Sequence, residues 1–104
     1  SWIGEKVWID NLVPVTIGAH CCISQGAYLC CGNHQYSKPT FDLITQPIEL
    51  KQGVWLAAQS MIAPGTTVEE HCVVTAGSVL SGSTEPYTVY RGNPAVKIRM
   101  RKIN

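Results

Sequence analysis

The chain has few charged residues and no long apolar run. Asp, Glu, Lys and Arg make up 14% of its 104 residues, well below the roughly 25% that soluble domains usually have. So low a charge content indicates that part of the outer surface is covered, most simply by other subunits. No apolar stretch approaches the roughly 18 residues of a membrane span, and the N-terminus lacks the basic and apolar regions of a signal peptide. The sequence therefore predicts no transmembrane segment.

Signatures of nucleic-acid binding and of zinc binding are missing as well. The net charge is +1, so no overall positive field points to nucleic acid. The five cysteines include two adjacent pairs, Cys21-Cys22 and Cys30-Cys31, and this is not the spacing of a zinc site. We interpret the cysteines as small, reduced core residues of a cytoplasmic protein, and we expect no bound metal.

Helical periodicity is absent too, and a period of six stands in its place. This period fits neither an amphipathic helix, which repeats near 3.6 residues, nor an isolated strand, which repeats at 2. It is typical of a parallel β-helix, in which each hexapeptide forms a short strand and a corner, and its first residue points inward. Every sixth residue of one stretch is apolar, namely Leu50, Leu56, Ile62, Val68, Val74 and Leu80.

A second inward position follows four residues after each leading position and holds small or β-branched residues. In the second half these are Val54, Ser60, Thr66, Cys72, Ser78 and Thr84. In the first half the leading residues are Ile3, Ile9, Ile17, Ile23 and Leu29, and the small ones are Val7, Val13, Cys21, Ala27 and Asn33. The step of eight residues from Ile9 to Ile17 predicts a two-residue bulge at Pro14-Val15. We therefore predict an all-β fold with a single domain over residues 1–104.

The N-terminus opens inside a repeat, at Ile3-Gly4, and has no initiator Met. An uncapped coil would expose strand edges, which invite aggregation. We therefore expect that an N-terminal segment is missing from this chain.

The repeat stops between Leu29 and Leu50. The intervening residues 32–47 include two prolines, a glycine and scattered aromatic residues, and they predict a protruding loop, which is usually functional or disordered at this length. His34 lies at the base of the loop, and because imidazole titrates near neutral pH it is suited to act as a general base. A surface histidine at a loop edge is the alternative. We interpret His20 and His71, two coils apart and thus about 10 Å from each other, as surface residues that cannot share a metal.

Five segments carry a recognisable pattern. They are Gly32-Asn33-His34, Gly53-Val54-Trp55-Leu56, Pro64-Gly65-Thr66, residues 74–79 and Gly92-Asn93-Pro94-Ala95. Together they resemble the left-handed β-helix O-acetyltransferases of the galactoside, maltose and nodulation-protein type. Residues 9–12 and 23–28 resemble in particular the colanic-acid-biosynthesis-type acetyltransferases. The resemblance covers essentially the whole chain and implies a left-handed parallel β-helix with one protruding loop, at about 32–47, and a short C-terminal tail.

The resemblance also implies a homotrimer with an active site in each cleft between subunits. It implies acetyl-CoA as cosubstrate, lying along the outer edge of the C-terminal coils, and His34 as general base. The implied contacts to the pantetheine arm come from Trp55, Ala58, Ala76 and Ser81, and those to the phosphates come from Arg91, Lys97 and Arg99. From the residues alone, Trp55 could instead be a corner aromatic at a subunit contact, and the basic residues could form a solvated tail.

Two departures from the family pattern affect the phosphate contacts. Gly82-Ser83 replaces the Lys-Asp of many relatives, which removes one cation. The tail reads Ala95-Val96-Lys97-Ile98-Arg99 where the more usual order is Ala-Lys-Val-Ile, so the basic residue that faces CoA is not fixed by the resemblance.

The remaining site residues lie near His34 or one coil away. We expect Asn33 to orient the catalytic site, and Asp10, Asn11 and Tyr36 to bind a sugar acceptor, either a small molecule or a lipid-linked sugar. Asn33, Asp10 and Asn11 could equally be corner-forming residues. Backbone N–H groups from Trp55 to Ala58 are candidate donors to an oxyanion.

Three functions fit these observations. The first is an acetyl-CoA-dependent O-acetyltransferase that acts on a sugar hydroxyl in polysaccharide or glycoconjugate synthesis. The second is a γ-carbonic-anhydrase-like β-helix, which needs three histidines on one zinc ion, and the third is a catalytically silent trimeric scaffold or binding module. The sequence does not identify the acceptor, nor does it distinguish O- from N-acetylation.

Overall fold

The computed structural model describes residues 1–103 and consists of short strands wound into a parallel coil. Within that range it has fifteen strands and no helix. Its principal extents are 52 × 25 × 19 Å. Each turn of the coil contributes one strand to each of three faces, as the period of six predicts.

The three faces are parallel sheets that consecutive coils build up. The first face contains β1 (Trp2–Ile3), β4 (Cys22–Ile23), β9 (Trp55–Leu56), β12 (Val73–Val74), β14 (Thr88–Gly92) and β15 (Ala95–Met100), in that order. The second face contains β2 (Trp8–Asp10), β5 (Tyr28–Cys30), β10 (Met61–Ile62) and β13 (Val79–Leu80). The third face contains β3 (Val15–Ile17), β8 (Ile48–Leu50) and β11 (Thr67–Val68), and a bridge from Thr67 to Ser83 continues it.

The core is the column of leading residues in the interior of the coil. The predicted leading residues from Ile23 to Leu80 are at most 2% exposed, and the small positions occupied by Ser60, Thr66 and Ser78 are at most 1% exposed. Ile3, in contrast, is 50% exposed, because it belongs to the first coil and has a neighbour on one side only. The repeat therefore predicts the leading residues of the interior correctly from Ile23 to Leu80, but not at the N-terminal end.

The corner between the third and first faces is built from residues in the left-handed conformation. His20, Gly53, His71 and Tyr87 have φ values of 58°, 70°, 56° and 54°, and hydrogen bonds link their successive coils, as from the His71 N–H to the Gln52 carbonyl at 2.9 Å. The imidazole of His71 lies over Gly53 and stacks on the ring of Tyr87, with the ring centroids 4.8 Å apart. His20 is exposed as expected, but His71 is half-buried in this stack, so the interpretation of His71 as a plain surface residue was wrong.

The interruption at residues 32–47 is a β-hairpin. β6 (Gly32–His34) pairs with β7 (Leu43–Thr45) in antiparallel register, with Asn33 opposite Ile44. The prediction of a protruding segment is correct in position, but the segment has secondary structure of its own. Asn33 is exposed, and Cys31, which is fully buried, occupies the inward position instead. The repeat register therefore ends two residues earlier than predicted, because the hairpin begins at Gly32.

The C-terminal segment is also a hairpin and not a short tail. β15 folds back on β14 with pairs from Gly92 opposite Ala95 to Thr88 opposite Met100. This antiparallel ribbon ends the first face and places the basic residues of the C-terminus along its edge.

All five cysteines are free thiols, in agreement with their interpretation as reduced residues. Cys21, Cys31 and Cys72 lie in the core at 2%, 0% and 0% exposure. Buried thiols of this kind behave as small apolar side chains.

Candidate functional site

His34 ends β6 at the base of the protruding hairpin. Its backbone N–H donates to Oδ1 of Asn33 at 2.8 Å, and its imidazole stacks on the ring of Phe41 with centroids 4.4 Å apart and 14° between the planes. Phe41 is held in the left-handed conformation at φ 53° and comes just before β7. Both strands of the hairpin thus contribute to the orientation of this side chain.

The hydrogen bond at Nδ1 of His34 fixes the tautomer of the neutral ring. Nδ1 lies 3.2 Å from the carbonyl oxygen of Phe41. A carbonyl oxygen can only accept a hydrogen bond, so Nδ1 must carry the proton, and in neutral imidazole Nε2 then carries the lone pair. His34 therefore presents Nε2 as a base.

Asn33 and Tyr36 occupy different parts of the hairpin. Asn33 supports the backbone of His34 through the bond just described. Tyr36 lies near the hairpin tip and is 87% exposed, so it has no packing that would hold it beside His34 in this subunit.

A groove runs along the first face and is made of two adjoining cavities. The narrower, about 370 Å³, lies at the corner with the second face, and the wider, about 720 Å³, lies beside the C-terminal hairpin. The residues that line both are Trp55, Val73 and Thr75. The narrow part is bordered by Ala57, Ala58 and Ala76, whose small side chains leave the channel open.

Trp55 lies at the junction of the two cavities. It is on a strand and not at a corner, it is 42% exposed, and its indole N–H donates to Oγ of Ser24 at 2.9 Å. Three of the predicted pantetheine contacts, Trp55, Ala58 and Ala76, therefore come together in one groove. Ser81, the fourth, follows β13 on the second face and lies outside both cavities.

Of the three predicted phosphate-binding residues on the C-terminal hairpin, one faces the wide cavity and two do not. Arg99 lines the wide cavity. Lys97 points elsewhere, because its Nζ contacts Oε2 of Glu85 at 3.1 Å, and Arg91 is an exposed residue of β14 that does not line the cavity. The structure adds two cations that the sequence reasoning missed, Arg101 and Lys102. Their place in a run of four basic residues among positions 97–102 was the available signal.

Two of the candidate oxyanion donors are already engaged. The N–H of Trp55 donates to the Cys72 carbonyl and the N–H of Ala57 donates to the Val74 carbonyl, each at 2.9 Å. These bonds belong to the ladder that joins consecutive coils, so neither group is available to a ligand.

The predicted acceptor residues lie on or beside the second face. Asp10 lines an open cavity of about 390 Å³ together with Trp8 and Tyr28, and a Cβ placed on Gly32 would lie 3.7 Å from Oδ2 of Asp10, which locates Asp10 at the foot of the hairpin. Asn11 is exposed at the following corner and does not line this cavity. Trp8, which is 65% exposed, was not anticipated as a site residue.

Tyr28 is a neutral hydrogen-bonding group in this cavity. A hydrogen bond with the Cys30 side chain, then burial, then the electrostatic influence of Cys30 and Asp10 raise the pKa of Tyr28 to about 12. A phenol with that pKa keeps its proton at neutral pH, so Tyr28 can bind a polar ligand but cannot serve as a base.

His34 and the groove do not meet within one subunit. The hairpin leaves the coil between the second and third faces, whereas the groove lies on the first face and its corner with the second. His34 is accordingly not among the residues that line the groove. A site that uses both needs more than one copy of the chain.

The outward residues distinguish the three faces chemically. On each face the outward residues of neighbouring strands lie side by side and form a row, called here the outward ladder. On the first face this ladder consists of Trp2, Cys22, Trp55, Val73 and Val89, and on the second it consists of Trp8, Tyr28, Met61 and Val79. On the third face it reads Thr16, Glu49, Thr67 and Ser83. Two faces are therefore aromatic or apolar and one is polar.

Among residues 1–103, no group of three or more His, Cys, Asp or Glu side chains is arranged to hold a metal ion. In the same part of the chain, no helix is long and apolar enough to cross a membrane.

Comparison with known proteins finds sequence relatives among acetyltransferases. No known protein-family profile matches the chain. The chain is 42% identical over 101 residues to the "Putative colanic acid biosynthesis acetyltransferase WcaF" of Escherichia coli strain K12, over 97% of this chain and 56% of the relative. The chain thus spans about half the length of the relative. The predicted resemblance to acetyltransferases of this type is confirmed.

Many solved structures have the same fold, among them two complexes with coenzyme A. A mutant of AntD, an N-acyltransferase from Bacillus cereus in complex with dTDP and coenzyme A, superposes with a TM-score of 0.88 at 24% identity and covers 96% of this chain and 60% of that one. A galactoside acetyltransferase in complex with coenzyme A superposes with a TM-score of 0.83 at 24% identity and covers 96% and 55%. The predicted all-β, left-handed parallel β-helix is confirmed.

Proposed function

The chain belongs to the hexapeptide-repeat acetyltransferase family, and from that premise we propose that the whole protein transfers an acetyl group from acetyl-CoA to a sugar hydroxyl in polysaccharide or glycoconjugate biosynthesis. The observation that carries the proposal is the orientation of His34, whose Nδ1–H is held by the Phe41 carbonyl at 3.2 Å so that Nε2 is the base. The relative's name refers to colanic acid biosynthesis, which supports a sugar acceptor.

His34 performs the proton transfers in this mechanism. Acetyl-CoA supplies the acetyl group as a thioester. Nε2 of His34 takes the proton of the acceptor hydroxyl as its oxygen attacks the thioester carbonyl, since a hydroxyl is a weak nucleophile until a base assists it. The imidazolium that forms keeps both of its N–H groups as donors, one to Phe41 and the other to the departing thiolate, to which it returns the proton.

The groove on the first face fits coenzyme A by shape and charge. The pantetheine arm is long and narrow, and the small side chains of Ala58 and Ala76 leave room for it beside Trp55 in the narrow channel. The phosphates require cations, and Arg99 and Lys102 line the wide end of the groove. Arginine and lysine both pair well with phosphate oxygens. Arg91, Lys97 and Ser81 stay predictions with less support, because they lie outside the groove.

The cavity beside the hairpin is the acceptor site in this proposal. Trp8 presents an exposed aromatic face, which suits the apolar side of a sugar ring, and Asp10 offers a carboxylate to sugar hydroxyls. Tyr28 adds a neutral hydroxyl. Asn11 and Tyr36 remain predicted contacts that a ligand or a neighbouring subunit would have to bring into place.

A homotrimer completes the site in this proposal. Two of the three faces carry apolar ladders, the charged content is 14%, and His34 lies away from the groove of its own subunit. In a trimer, His34 of one subunit approaches the groove of the next. We also assign the protein to the cytoplasm, which the five free thiols support because thiols stay reduced there.

The decisive test is thiol release from acetyl-CoA by the full-length protein, across a panel of sugars, nucleotide sugars and amino sugars. We expect His34→Ala to lower kcat by about 10²–10⁴-fold with a much smaller effect on the Kd for CoA, because the residues that line the groove are unchanged. His20→Ala is the matched control, since His20 is an exposed histidine on a different corner.

Retention of the wild-type rate by His34→Ala would overturn the mechanism. Thiol release only in the presence of amino sugars would mean that the protein catalyses N-acetylation, with His34 as the same base. A wild-type protein without measurable affinity for CoA would favour a scaffold instead.

A further inference from the structure

We propose that Arg101 is a positioning residue that anchors the C-terminal strand against the corner of the coil and thereby shapes the wide end of the groove. The proposal rests on the assignment of that groove to coenzyme A. It concerns what holds the wall of the groove in place.

The guanidinium of Arg101 is committed to the protein itself. Nη1 donates to the carbonyl oxygen of Gly53 at 3.0 Å and to that of His71 at 3.2 Å. These carbonyls belong to two successive coils of the corner between the third and first faces. Hydrogen bonds from a charged donor are shorter and stronger than neutral ones, so a single side chain ties the segment that follows β15 to two coils.

The backbone of Arg101 makes a third attachment. Its N–H donates to the carbonyl of Tyr87 at 2.7 Å, which continues the β14–β15 pairing one residue beyond Met100. Tyr87 is itself stacked on His71, the residue whose carbonyl accepts from the guanidinium. Residue 101 is therefore held to three consecutive levels of one corner.

This anchor lies in the wall of the wide cavity. The residues of the wall from the C-terminal segment are Arg99, Met100, Arg101 and Lys102. Arg101 is half-buried, whereas Arg99 and Lys102 on either side of it are exposed. Arg99 and Lys102 line the cavity and form no salt bridge with an acidic side chain within residues 1–103, whereas Arg101 uses its charge to fix the strand that carries them.

Arg101 lies directly after the end of β15, where an additional attachment of the chain has the largest effect. β15 ends at Met100, and the Arg101 N–H bond to the Tyr87 carbonyl is the last backbone bond of the β14–β15 pairing among the described residues. Without the bonds from Arg101, nothing in the β14–β15 pairing would hold Lys102 in place, and the cavity of about 720 Å³ would lose one side.

The consequence for ligand binding is specific to one end of coenzyme A. The wide cavity with its cations suits the phosphorylated nucleotide portion, and the narrow channel at Ala58 suits the pantetheine arm. Loss of the anchor should weaken recognition of the nucleotide portion and leave the pantetheine channel intact. A general loss of folding would weaken both.

The test compares full-length wild-type protein with Arg101→Ala and Arg101→Lys by calorimetry with CoA and by kinetics with acetyl-CoA and acetyl-pantetheine. We expect Arg101→Ala to raise the Kd for CoA and the KM for acetyl-CoA about tenfold, which corresponds to about 1.4 kcal/mol, without a change in kcat. Turnover of acetyl-pantetheine, which lacks the nucleotide, should be unchanged. Arg101→Lys should give an intermediate Kd, because an ammonium group cannot reproduce the planar geometry of the guanidinium.

Lys51→Ala is the control for the loss of a positive charge. Lys51 pairs with Glu69 at 3.4 Å and does not line the groove. A wild-type Kd for CoA in Arg101→Ala would overturn the anchor, as would an equal loss of activity with acetyl-CoA and acetyl-pantetheine. If the wild-type protein itself fails to bind CoA, the proposed function fails, and that result is distinct from failure of the anchor.

Discussion

At the scale of single residues, the corners of the coil decide which substitutions the fold tolerates. Gly53 and Gly77 have the same φ of 70°, so an alanine at either position pays the same backbone strain of about 1–2 kcal/mol. Their surroundings differ, because a Cβ on Gly53 would collide with the Nδ1 atom of His71, whereas a Cβ on Gly77 would meet nothing within 4 Å. The imidazole cannot move aside freely, since it is stacked on Tyr87.

We therefore expect Gly53→Ala to lower the free energy of unfolding more than Gly77→Ala does. The difference should be about 1–3 kcal/mol, the usual cost of overpacking, measured by chemical denaturation of both variants. Combining each glycine substitution with His71→Ala should bring the two losses together, because removal of the ring removes the collision. Equal losses in the presence of His71 would show that the stack yields without cost.

For charged residues too, the surroundings in the fold decide the role of each side chain. The sequence shows a cluster of cations near the C-terminus, but it does not show which of them have charges free for a ligand. The structure pairs Lys97 with Glu85 and engages Arg101 with two carbonyls. A cation count therefore overstates the charge available for phosphates.

At the scale of elements, the hairpin at residues 32–45 supplies and orients His34, the proposed general base. Its two strands place His34 opposite Leu43 and bring Phe41 against the imidazole. The ring of Phe41 packs on the imidazole of His34, and the backbone carbonyl of Phe41 accepts the hydrogen bond from Nδ1–H of His34. A free loop could not hold both contacts at once.

The ring of Phe41 gives a test of that arrangement. We expect Phe41→Ala to lower kcat by about tenfold, a modest share of the 10²–10⁴-fold that general-base catalysis supplies, because the imidazole loses its stacking partner and samples unproductive orientations. The Kd for CoA should not change. Ser37→Ala, at the exposed tip of the same hairpin, is the control, and steady-state kinetics with acetyl-CoA is the measurement. An unaltered kcat in Phe41→Ala would mean that the carbonyl bond alone orients His34.

The sequence predicts elements well where the period of six is unbroken and poorly where it ends. Leu50 and Leu80 lead buried units as expected, because the interior of a parallel coil forces one side chain per hexapeptide inward. Asn33 was placed in the core by counting, whereas in the structure the chain turns outward at Gly32. The antiparallel pairing of β6 with β7 and of β14 with β15 depends on contacts between residues that no short repeat encodes.

The sequence likewise predicts some residues of the candidate site and not others. His34 follows from its position at the break in the repeat, and Trp55, Ala58 and Ala76 follow from the resemblance and fall together in one groove. Trp8 and Arg101 do not follow from either. Trp8 matters because the coil stacks it one strand away from Tyr28, and Arg101 matters because it reaches back to Gly53, a residue 48 positions away in sequence.

At the scale of the whole molecule, the chemistry of the three faces predicts how copies of the chain assemble. Met61 lies in the outward apolar ladder of the second face between Tyr28 and Val79, and Thr67 lies in the polar ladder of the third face between Glu49 and Ser83. An arginine in an apolar contact between subunits would be a buried charge without a partner, which is costly, whereas an arginine on a solvated face has little effect. The two positions thus provide a matched pair on one coil.

We expect Met61→Arg to dissociate the full-length protein to monomers and Thr67→Arg to leave a trimer, as measured by light scattering after size-exclusion chromatography. Because His34 and the groove belong to different subunits in the proposed site, Met61→Arg should also abolish acetyl transfer while the isolated subunit keeps its groove and hence measurable CoA affinity. Mixing Met61→Arg with excess His34→Ala should not restore activity, since the first variant does not enter trimers. If Met61→Arg remains a trimer of normal activity, the second face is open to solvent and the subunits meet through other surfaces.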